Sequence, residues 1–370
     1  MGWKVIDHLT IYREKGMYGA HPNVVRTPNG DLLALFHRSP HLGYSHHGHP
    51  LFDLRACRST DEAKTWEPQQ LVTIDPLGGV IDFGTHTLAD GSIFLHASAV
   101  ALAPQQDGAS ATVWETASGR PFWSRSLDDG RNWSEPVRFP QLPAELKVGS
   151  HSEHQGICRS GLVELADGRL FLPGKAPSTA EGIGYPYFGM CHYSSDMGDN
   201  WHYGGKIAVD DTAHFSEPTV HITPKGRILI LFRCHSQRGT TDRQVFLARV
   251  YSDDGGATWS QWERTPLEGC PGHMLGLRDG RIFITVGRRL PEESGCNARV
   301  LDPEGSDMDT VPSFLVRGDS TITKLPDGKP VSDCGYPWSV ELADGKVLVV
   351  YYYTYEDGLR GIEGTVLEEG

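Results

Sequence analysis

Several features of membrane-spanning and nucleic-acid-binding proteins are missing from this sequence. No apolar run approaches the roughly 18 residues that cross a bilayer, so we expect no membrane partner. The opening residues, MGWKVIDHLTIYREKG, hold no basic stretch followed by an apolar one, which predicts that no signal peptide is present. Positive charge is scarce, because 34 Lys and Arg face 47 Asp and Glu. The net charge of −13 argues against a nucleic-acid partner.

Cysteine is also sparse and shows no pattern. The seven cysteines are an odd number, and none belongs to a Cys-x-x-Cys motif. We therefore interpret them as reduced thiols in a cytoplasmic protein. Turn-forming residues, by contrast, are abundant: 43 glycines and 24 prolines accompany 38% hydrophobic residues. This combination is typical of a β protein with many turns.

One repeat is an Asp-box pattern, Ser-x-Asp-x-Gly-x-Thr-Trp or close to it. In such a hairpin turn the aspartate accepts hydrogen bonds from the backbone of its own loop, glycine supplies a left-handed conformation, and tryptophan anchors the turn in the core. Four copies at near-regular spacing indicate a repeat architecture. They are STDEAKTW (59–66), SLDDGRNW (126–133), SSDMGDNW (194–201) and SDDGGATW (252–259).

A second repeat places a glycine turn between two apolar runs, the strongest short-range hairpin signal. Together the two repeats give units of four antiparallel strands, which are the blades of a β-propeller. Six units predict an all-β, six-bladed β-propeller that forms one domain over residues 1–370. The N-terminal run 3–12 supplies the strand that the last unit lacks and closes the ring. The turn glycines are Gly30, Gly91, Gly168, Gly226, Gly280 and Gly345.

The repeat also works as a ruler that identifies equivalent positions in each blade. Because strands alternate in direction, the starts of the innermost strands and the ends of the second strands should meet on one face, around a central funnel. Nine residues before each turn glycine stand His21, Asp82, Arg159, Glu217, Pro271 and Tyr336. Seven residues after it stand His37, Ser98, Lys175, Arg233, Gly287 and Tyr352. Most of these are polar or ionisable, so the funnel is the predicted binding site.

This arrangement resembles the sialidase (neuraminidase) superfamily over essentially the whole chain. The resemblance implies that Tyr336, in GYPWSVELADG, is a nucleophile. It implies that Glu217 pairs with that tyrosine and that Arg233, at the end of EPTVHITPKGRILILFR, binds substrate. It also implies a further arginine in the fifth blade, where the sequence offers Arg288 or Arg289; we select Arg288.

Two features depart from the superfamily pattern. Ala20 stands where the superfamily has the arginine of an Arg-Ile-Pro motif, and His21 follows it. The loop before the first Asp box has no acid/base aspartate and instead carries several histidines, among them His47 and His49. The pattern therefore implies an incomplete carboxylate clamp and an acid/base group of another type.

The first hypothesis is an exo-acting glycoside hydrolase that acts on an acidic sugar. Glu217 would activate the Tyr336 phenol. An anionic carboxylate nucleophile would be repelled by an anionic substrate, whereas tyrosine would not. The acid/base would be one of His47, His49 and Asp82. The predicted substrate-binding residues are Arg233, Arg159, Arg288, Lys175, His37, Tyr352, His86, His154 and His273.

Two other functions remain open at this stage. A polysaccharide or oligosaccharide lyase acting on a uronate needs a base, an acid and a cation, which histidines such as His21, Tyr336 and an arginine can supply. A non-catalytic carbohydrate-binding propeller needs only the polar and aromatic funnel. The clusters HHGH (46–49) and HSEH (151–154) lack the spacing of a strong zinc motif, so we interpret them as substrate-binding loops and predict no metal or cofactor.

Overall fold

Every regular element in the described part of the chain is a β-strand. The structure is a computed structural model, and it describes residues 2–41, 51–74, 79–104, 114–143, 158–177, 187–236, 245–269, 271–290, 293–324 and 328–370. Within these ranges no helix is long and apolar enough to span a membrane. The strands are β1 (Trp3–Tyr12), β2 (Met17–Arg26), β3 (Leu32–Pro40), β4 (Asp53–Ser59), β5 (Gln70–Thr73), β6 (Gly79–Thr87), β7 (Ile93–Pro104), β8 (Trp114–Ser126), β9 (Val137–Arg138), β10 (Val163–Glu164), β11 (Leu170–Pro177), β12 (Tyr187–Ser194), β13 (His202–Ala208), β14 (Ala213–Ile222), β15 (Ile228–Ser236), β16 (Val245–Ser252), β17 (Glu263–Glu268), β18 (Gly272–Gly276), β19 (Ile282–Leu290), β20 (Glu293–Leu301), β21 (Phe314–Arg317), β22 (Ile322–Lys324), β23 (Pro330–Ser332), β24 (Gly335–Glu341), β25 (Val347–Thr354) and β26 (Arg360–Glu369).

Four sheets are separate four-stranded antiparallel units, as in the blades of a β-propeller. Their strand orders are β6-β7-β8-β9, β10-β11-β12-β13, β14-β15-β16-β17 and β18-β19-β20-β21. The strands follow chain order in every unit, so each is a meander that begins with its innermost strand. The predicted all-β propeller arrangement is therefore present in these four blades.

The remaining long strands form one eight-stranded sheet. Its order is β24-β25-β26-β2-β3-β4-β5, and β1 pairs with the other side of β26. The link between β26 and β2 is a single parallel pair, Tyr18 with Arg360. The pairing of β1 with β26 is antiparallel and runs from Trp3 opposite Glu369 to Tyr12 opposite Ile362. The first and last strands of the described chain therefore lie side by side.

All six predicted glycine turns are present and share one geometry. Each turn glycine has a φ between +82° and +96°. Each also donates its N–H to the carbonyl three residues earlier, as Gly30 does to Thr27 at 2.9 Å and Gly345 to Leu342 at 3.1 Å. Glycine suits this position because a Cβ disfavours a positive φ. The hairpin prediction is confirmed at each of these turns.

The Asp boxes form the expected self-contained turns. Asp61 accepts hydrogen bonds from the backbone N–H and the hydroxyl of Thr65 at 2.9 and 2.6 Å, and Ser59 Oγ accepts one from the Ala63 N–H at 2.9 Å. The same bonds recur around Asp128, Asp196 and Asp254. These aspartates therefore build turns, as predicted.

A fifth turn of this kind, which the sequence patterns did not identify, follows β20. There Asp302 accepts bonds from the N–H groups of Glu304 and Ser306 at 2.7 and 3.3 Å. Gly305 has a φ of +67°, and fully buried Met308 stands three residues after it, where the other copies have tryptophan. The turn keeps the positive-φ glycine and the buried residue three positions after it, but Asp302 stands three residues before the glycine, whereas the other aspartates stand two residues before the equivalent position. The Asp-box sequence pattern is therefore absent here.

The core lies within and between neighbouring sheets and is mainly aliphatic and aromatic. One cluster joins Leu33 and Leu35 of β3 to Ile93, Leu95 and Ala97 of β7, all nearly or fully buried. The six cysteines in the described ranges are buried and form no disulfide; Cys270 lies outside those ranges. Burial of this core fixes the strand starts around the centre, where the polar residues meet.

Candidate active site

Four of the equivalent ruler positions adopt the same unusual backbone conformation. His21, Asp82, Glu217 and Tyr336 have φ values of 52°, 50°, 42° and 51°, in the left-handed region that non-glycine residues rarely enter. At each one the pairing with the next strand skips two residues, as between Ala20 and Asn23 in β2. Such corners re-aim a side chain out of the pleat. We call these four positions the corner residues.

Three corner residues precede proline, namely Pro22, Pro218 and Pro337. Proline has no N–H, so the strand cannot donate to the ladder at that point. Proline also disfavours helical backbone in the residue before it. The local sequence thus helps to interrupt the innermost strand where the polar side chain must turn towards the centre.

Two corner residues, Tyr336 and Glu217, are in direct contact. The Tyr336 hydroxyl donates to Glu217 Oε1 at 2.5 Å, while Arg233 Nη1 donates to Glu217 Oε2 at 2.6 Å and to the tyrosine oxygen at 3.1 Å. Tyr336 is 5% and Glu217 7% exposed. The predicted tyrosine, glutamate and arginine therefore form one hydrogen-bonded group, although 119 residues separate Tyr336 from Glu217.

The charge of Glu217 is stabilised in this environment. Burial alone would raise its pKa, but the cations of Arg233 and Lys175 and the hydrogen bond from Tyr336 outweigh burial and lower the pKa to about 2. Glu217 is therefore ionised at neutral pH. An ionised carboxylate in contact with a phenol can orient the phenol and accept its proton.

The other two corner residues flank this group. The His21 ring lies 4.1 Å from the Tyr336 ring, centroid to centroid. Asp82 is half-buried, and burial raises the pKa of its carboxyl, against the opposing effect of Lys175. Burial disfavours the charge of Lys175, but the Asp82 carboxylate outweighs that effect and raises the lysine pKa above its usual range. A half-buried carboxyl with a raised pKa is suited to proton transfer.

In the fifth blade the structure places Arg289 beside the site and directs Arg288 away from it. The Arg289 guanidinium lies 5.0 Å from the Tyr336 ring centroid and donates to the Tyr352 hydroxyl at 2.7 Å. Arg288 instead pairs with Glu293 at 3.0 Å and Glu268 at 3.7 Å. Arg289 therefore faces Tyr336 and the predicted Arg288 does not, because neighbouring residues of a strand face opposite sides.

Two predicted substrate-binding residues stand behind the funnel surface. His37 is completely buried 5.4 Å from the His21 ring, and burial, reinforced by Arg159, lowers its pKa to about 3. Tyr352 is also completely buried, and its hydroxyl donates to Asp333 Oδ1 at 2.7 Å while it accepts from Arg289. These residues support the corner residues and Arg289 from behind.

Asp333 is a contributor that no sequence motif marked. It is 1% exposed and accepts hydrogen bonds from Tyr352, from Tyr18 at 3.0 Å and from Arg360 Nε at 3.1 Å. Asp333 thereby fixes the Tyr352 hydroxyl as the acceptor for Arg289. The signal available in the sequence was a charged residue two positions before an inner strand, but its partners lie on other strands.

Arg159 occupies its ruler position but points beneath Tyr336. Its Nη2 donates to the carbonyls of Tyr336 at 3.0 Å and Pro337 at 2.6 Å. It is 3% exposed, so it is not presented to a ligand as predicted.

His86 and His273 lie further along their strands, towards the opposite end of the centre. His273 stacks on Trp338 at a centroid distance of 4.0 Å, and the His86 ring lies tilted to the same ring at 5.9 Å. They line a cavity of about 470 Å³ whose wall includes residues of β2, β6, β10, β14, β18 and β24. The strands thus place these histidines away from the corner residues, and their role in substrate binding stays a prediction.

Three predicted residues, His47, His49 and His154, fall outside the described residues. Within the described ranges no group of three or more His, Cys, Asp or Glu side chains is arranged to hold a metal ion. The described site therefore consists of a tyrosine, carboxylates, a histidine and cations.

Comparison with known families agrees with the repeats and the fold. The BNR repeat-like domain matches residues 106–349, about two thirds of the chain. The chain belongs to this family. With its Asp boxes and propeller blades, this BNR repeat-like protein is a member of the sialidase-like superfamily.

Curated relatives of this BNR repeat-like protein include two clostridial sialidases. The sialidase of Paraclostridium sordellii is 26% identical over 254 residues, which are 65% of this chain and 58% of that protein. The sialidase of Clostridium perfringens is 26% identical over 231 residues, which are 60% of this chain and 55% of that protein. The alignments therefore span somewhat more than half the length of these relatives.

Solved structures share the fold. A protein of unknown function from Dyadobacter fermentans has a TM-score of 0.84 and 29% identity over 100% of both chains. The Hadza microbial sialidase Hz136 has a TM-score of 0.63 and 19% identity over 94% of this chain and 65% of its own. The α-L-arabinanase of Penicillium chrysogenum, complexed with arabinobiose, has a TM-score of 0.66 and 16% identity over 98% of both chains.

Proposed function

We propose that this protein is an exo-acting glycoside hydrolase that acts on an acidic sugar, with Tyr336 as the nucleophile. The observation that carries the proposal is the 2.5 Å hydrogen bond from the Tyr336 hydroxyl to Glu217, with Arg233 bonded to both residues. Glu217 holds the phenol and accepts its proton as the oxygen attacks the anomeric carbon. The curated sialidase relatives support a glycosidase.

The charge distribution supports an acidic substrate. Around the corner residues stand the cations of Arg159, Lys175, Arg233 and Arg289, against the carboxylates of Asp82 and Glu217. This local excess of positive charge occurs in a chain with a net charge of −13. A cleft whose charge is opposite to that of the rest of the protein concentrates anions.

The carboxylate of the sugar would be held by Arg233 and Arg289. Both guanidinium groups lie next to Tyr336, by a 3.1 Å bond and a 5.0 Å ring contact respectively. The Ala20 methyl group is fully buried opposite His37 and offers no group that could bind the carboxylate. Two arginines therefore take the place of the three that the superfamily resemblance implies.

Asp82 is the candidate acid/base among the described residues, and His47 and His49 remain candidates of the same proposal. The raised pKa of Asp82 lets its carboxyl keep a proton at a higher pH than usual, so that it can transfer the proton to a leaving oxygen. Lys175, which opposes that rise, would also return the carboxylate to its ionised form after the transfer.

We also infer that the site sits in a closed ring of six blades within one domain. Six equivalent glycine turns support this ring, and so does a cavity walled by six innermost strands. In this interpretation the eight-stranded sheet is two blades joined at Tyr18, and β1 completes the last blade on β26.

The decisive experiment is covalent trapping with activated fluorinated glycosides. The purified protein is incubated with a panel of such reagents, built on acidic and on neutral sugars, and digested for mass spectrometry. We expect an acidic-sugar adduct on the peptide that contains Tyr336 and turnover of the matching fluorogenic glycoside. An adduct on another residue, or labelling by neutral sugars alone, would contradict the proposal.

A uronate lyase is the second candidate, because His21 lies against Tyr336 and could remove a proton while the tyrosine protonates the leaving oxygen. Such an enzyme would generate an unsaturated uronate with a new ultraviolet absorbance and would form no covalent adduct. Binding without either product would identify a carbohydrate-binding propeller instead.

A further inference from the structure

Arg159 lies directly beneath the proposed nucleophile. Its guanidinium carbon is 5.3 Å from the centroid of the Tyr336 ring and 4.9 Å from that of the Trp338 ring. The residue is 3% exposed. The guanidinium is thus enclosed by two aromatic residues of β24, and a ligand in the funnel meets the tyrosine first.

The hydrogen bonds of Arg159 go to two of the three corners that precede proline, those of His21 and Tyr336. Nη2 donates to the carbonyls of Tyr336 at 3.0 Å, Pro337 at 2.6 Å and Pro22 at 3.5 Å. Tyr336 and His21 are the left-handed residues of these corners. The strand pairing is interrupted at both corners, so their carbonyls need another donor, and a charged donor forms the stronger bond.

Arg159 is also a buried cation against an aromatic face. Burial lowers its pKa to about 10, so it is still protonated at neutral pH. A cation over the face of a tyrosine is attracted to the ring, and more strongly once the phenol has lost its proton.

We propose that Arg159 is a positioning residue that holds the Tyr336 and His21 corners together from below and does not bind substrate. This inference deepens the proposed function and rests on it, since the corner that matters most is that of the nucleophile. Without Arg159, carbonyls at the two corners would lose their donor and Tyr336 would move relative to Glu217.

The test compares Arg159→Met with Arg299→Met in the hydrolase assay. Arg299 is a matched control because it also donates to backbone carbonyls, those of Met308 at 3.1 Å and Pro266 at 3.4 Å, on an outer part of its sheet. We expect R159M to lower kcat about 100-fold with KM changed less than about threefold, as for a misplaced reacting group. We expect R299M to leave both constants within about twofold.

Arg159→Lys keeps the charge but not the forked geometry, and we expect a kcat between those of R159M and the unmodified protein. If R159M does not fold, R159K is measured in its place. A rise in KM with unchanged kcat in either variant would overturn the proposal, because it would identify Arg159 as a substrate ligand.

A crystal structure of R159M, or of R159K if R159M does not fold, separates this proposal from the proposed function. We expect the backbone at residues 336–337 to leave its left-handed corner, whether or not any glycoside is turned over. An unchanged corner would overturn the positioning role, whereas a displaced corner in a protein without hydrolase activity would overturn only the proposed reaction.

Discussion

The two ends of the innermost strands differ sharply, although the same strands build both. In the first half of each strand that carries one, a left-handed corner interrupts the ladder and charged groups meet, as Tyr336 meets Glu217 and Arg233. At the other end the pairing is regular, as in β2 from Asn23 to Arg26, and the cavity wall there carries residues such as Val24, Val220 and Met274. The difference shows that the fold is regular where it needs only stability and irregular where side chains must converge.

Tyr336→Phe should produce the largest difference between the two ends. The variant removes the oxygen proposed to attack the sugar but leaves the salt bridge of Glu217 and Arg233, so kcat should fall by at least about 10³-fold with the thermal unfolding temperature little changed. Tyr353→Phe is the control, because that tyrosine, on the strand paired with β24, donates to the carbonyl of Asp319 and not to Glu217. Full activity in Y336F would remove the tyrosine from the mechanism.

Arg289→Ala and Arg288→Ala test the comparison within one strand. Arg289 lies at the Tyr336 ring, so its loss should raise KM for an acidic glycoside about 10- to 100-fold. Arg288 pairs with Glu293 and Glu268 away from the site, and its loss should change KM less than about threefold. Steady-state kinetics on both variants measures this, and equal effects would show that the funnel extends beyond the Tyr336 side of β19.

Acidification should lower the free energy of unfolding through His86, which lies at the cavity end of the strands. Burial lowers the pKa of His86 from 6.5 to about 4, so between these values the unfolded chain binds a proton that the folded chain does not. Stability should therefore fall as pH drops through this window, by at most about 1.4 kcal/mol per pH unit for each such histidine. Urea unfolding from pH 7 to 4 should show a smaller slope for His86→Gln. An unchanged slope would mean that His86 is accessible to protons in the folded state.

Glu217 acts in the same direction but at lower pH. Its folded pKa of about 2 lies below the ordinary value of 4.5, so the stability it contributes is present above 4.5 and is lost as pH falls towards 2. Glu217→Gln should flatten the unfolding profile only in this lower window. The two variants thus separate the acid sensitivity that His86 contributes from the acid sensitivity that Glu217 contributes.

His221→Ala should have the smallest effect. The His221 ring lies over Gly276 in the cavity at the regular end. Its removal should leave kcat and KM within about twofold, with a small loss of thermal stability. A loss of turnover above about tenfold would show that the two ends are coupled through the centre.

Much of the fold could be predicted because it repeats. The glycine turn needs only a left-handed residue between two apolar runs, and that signal is local in the sequence. The fifth Asp-box-like turn was missed because Pro303 and Met308 replace the marker residues, while Asp302, one residue before Pro303, accepts the backbone bond from the Asp307 N–H. A turn can therefore form even where the residues of its usual sequence pattern are replaced.

Site residues could be predicted only where they occupy an equivalent position of the repeat, counted from the turn glycine. The ruler identified all four corner residues, because an equivalent position in a repeat has an equivalent backbone. It did not select Arg289, although strand alternation gives the signal: Gly287 holds the ruler position, and residue 289 shares its face. The place of Arg159 depends on carbonyls of strands 137 to 178 residues away, which no local pattern contains.

The left-handed corners also bear on how this protein has evolved. Folding alone would favour glycine or asparagine at such positions, because their side chains tolerate a positive φ at little cost. The chain instead carries histidine, glutamate and tyrosine at three of them and aspartate at the fourth. Stability cannot be what selects these side chains. The fold maintains the backbone of these corners. Selection for activity can therefore replace the side chains at the corners without rebuilding the blades around them.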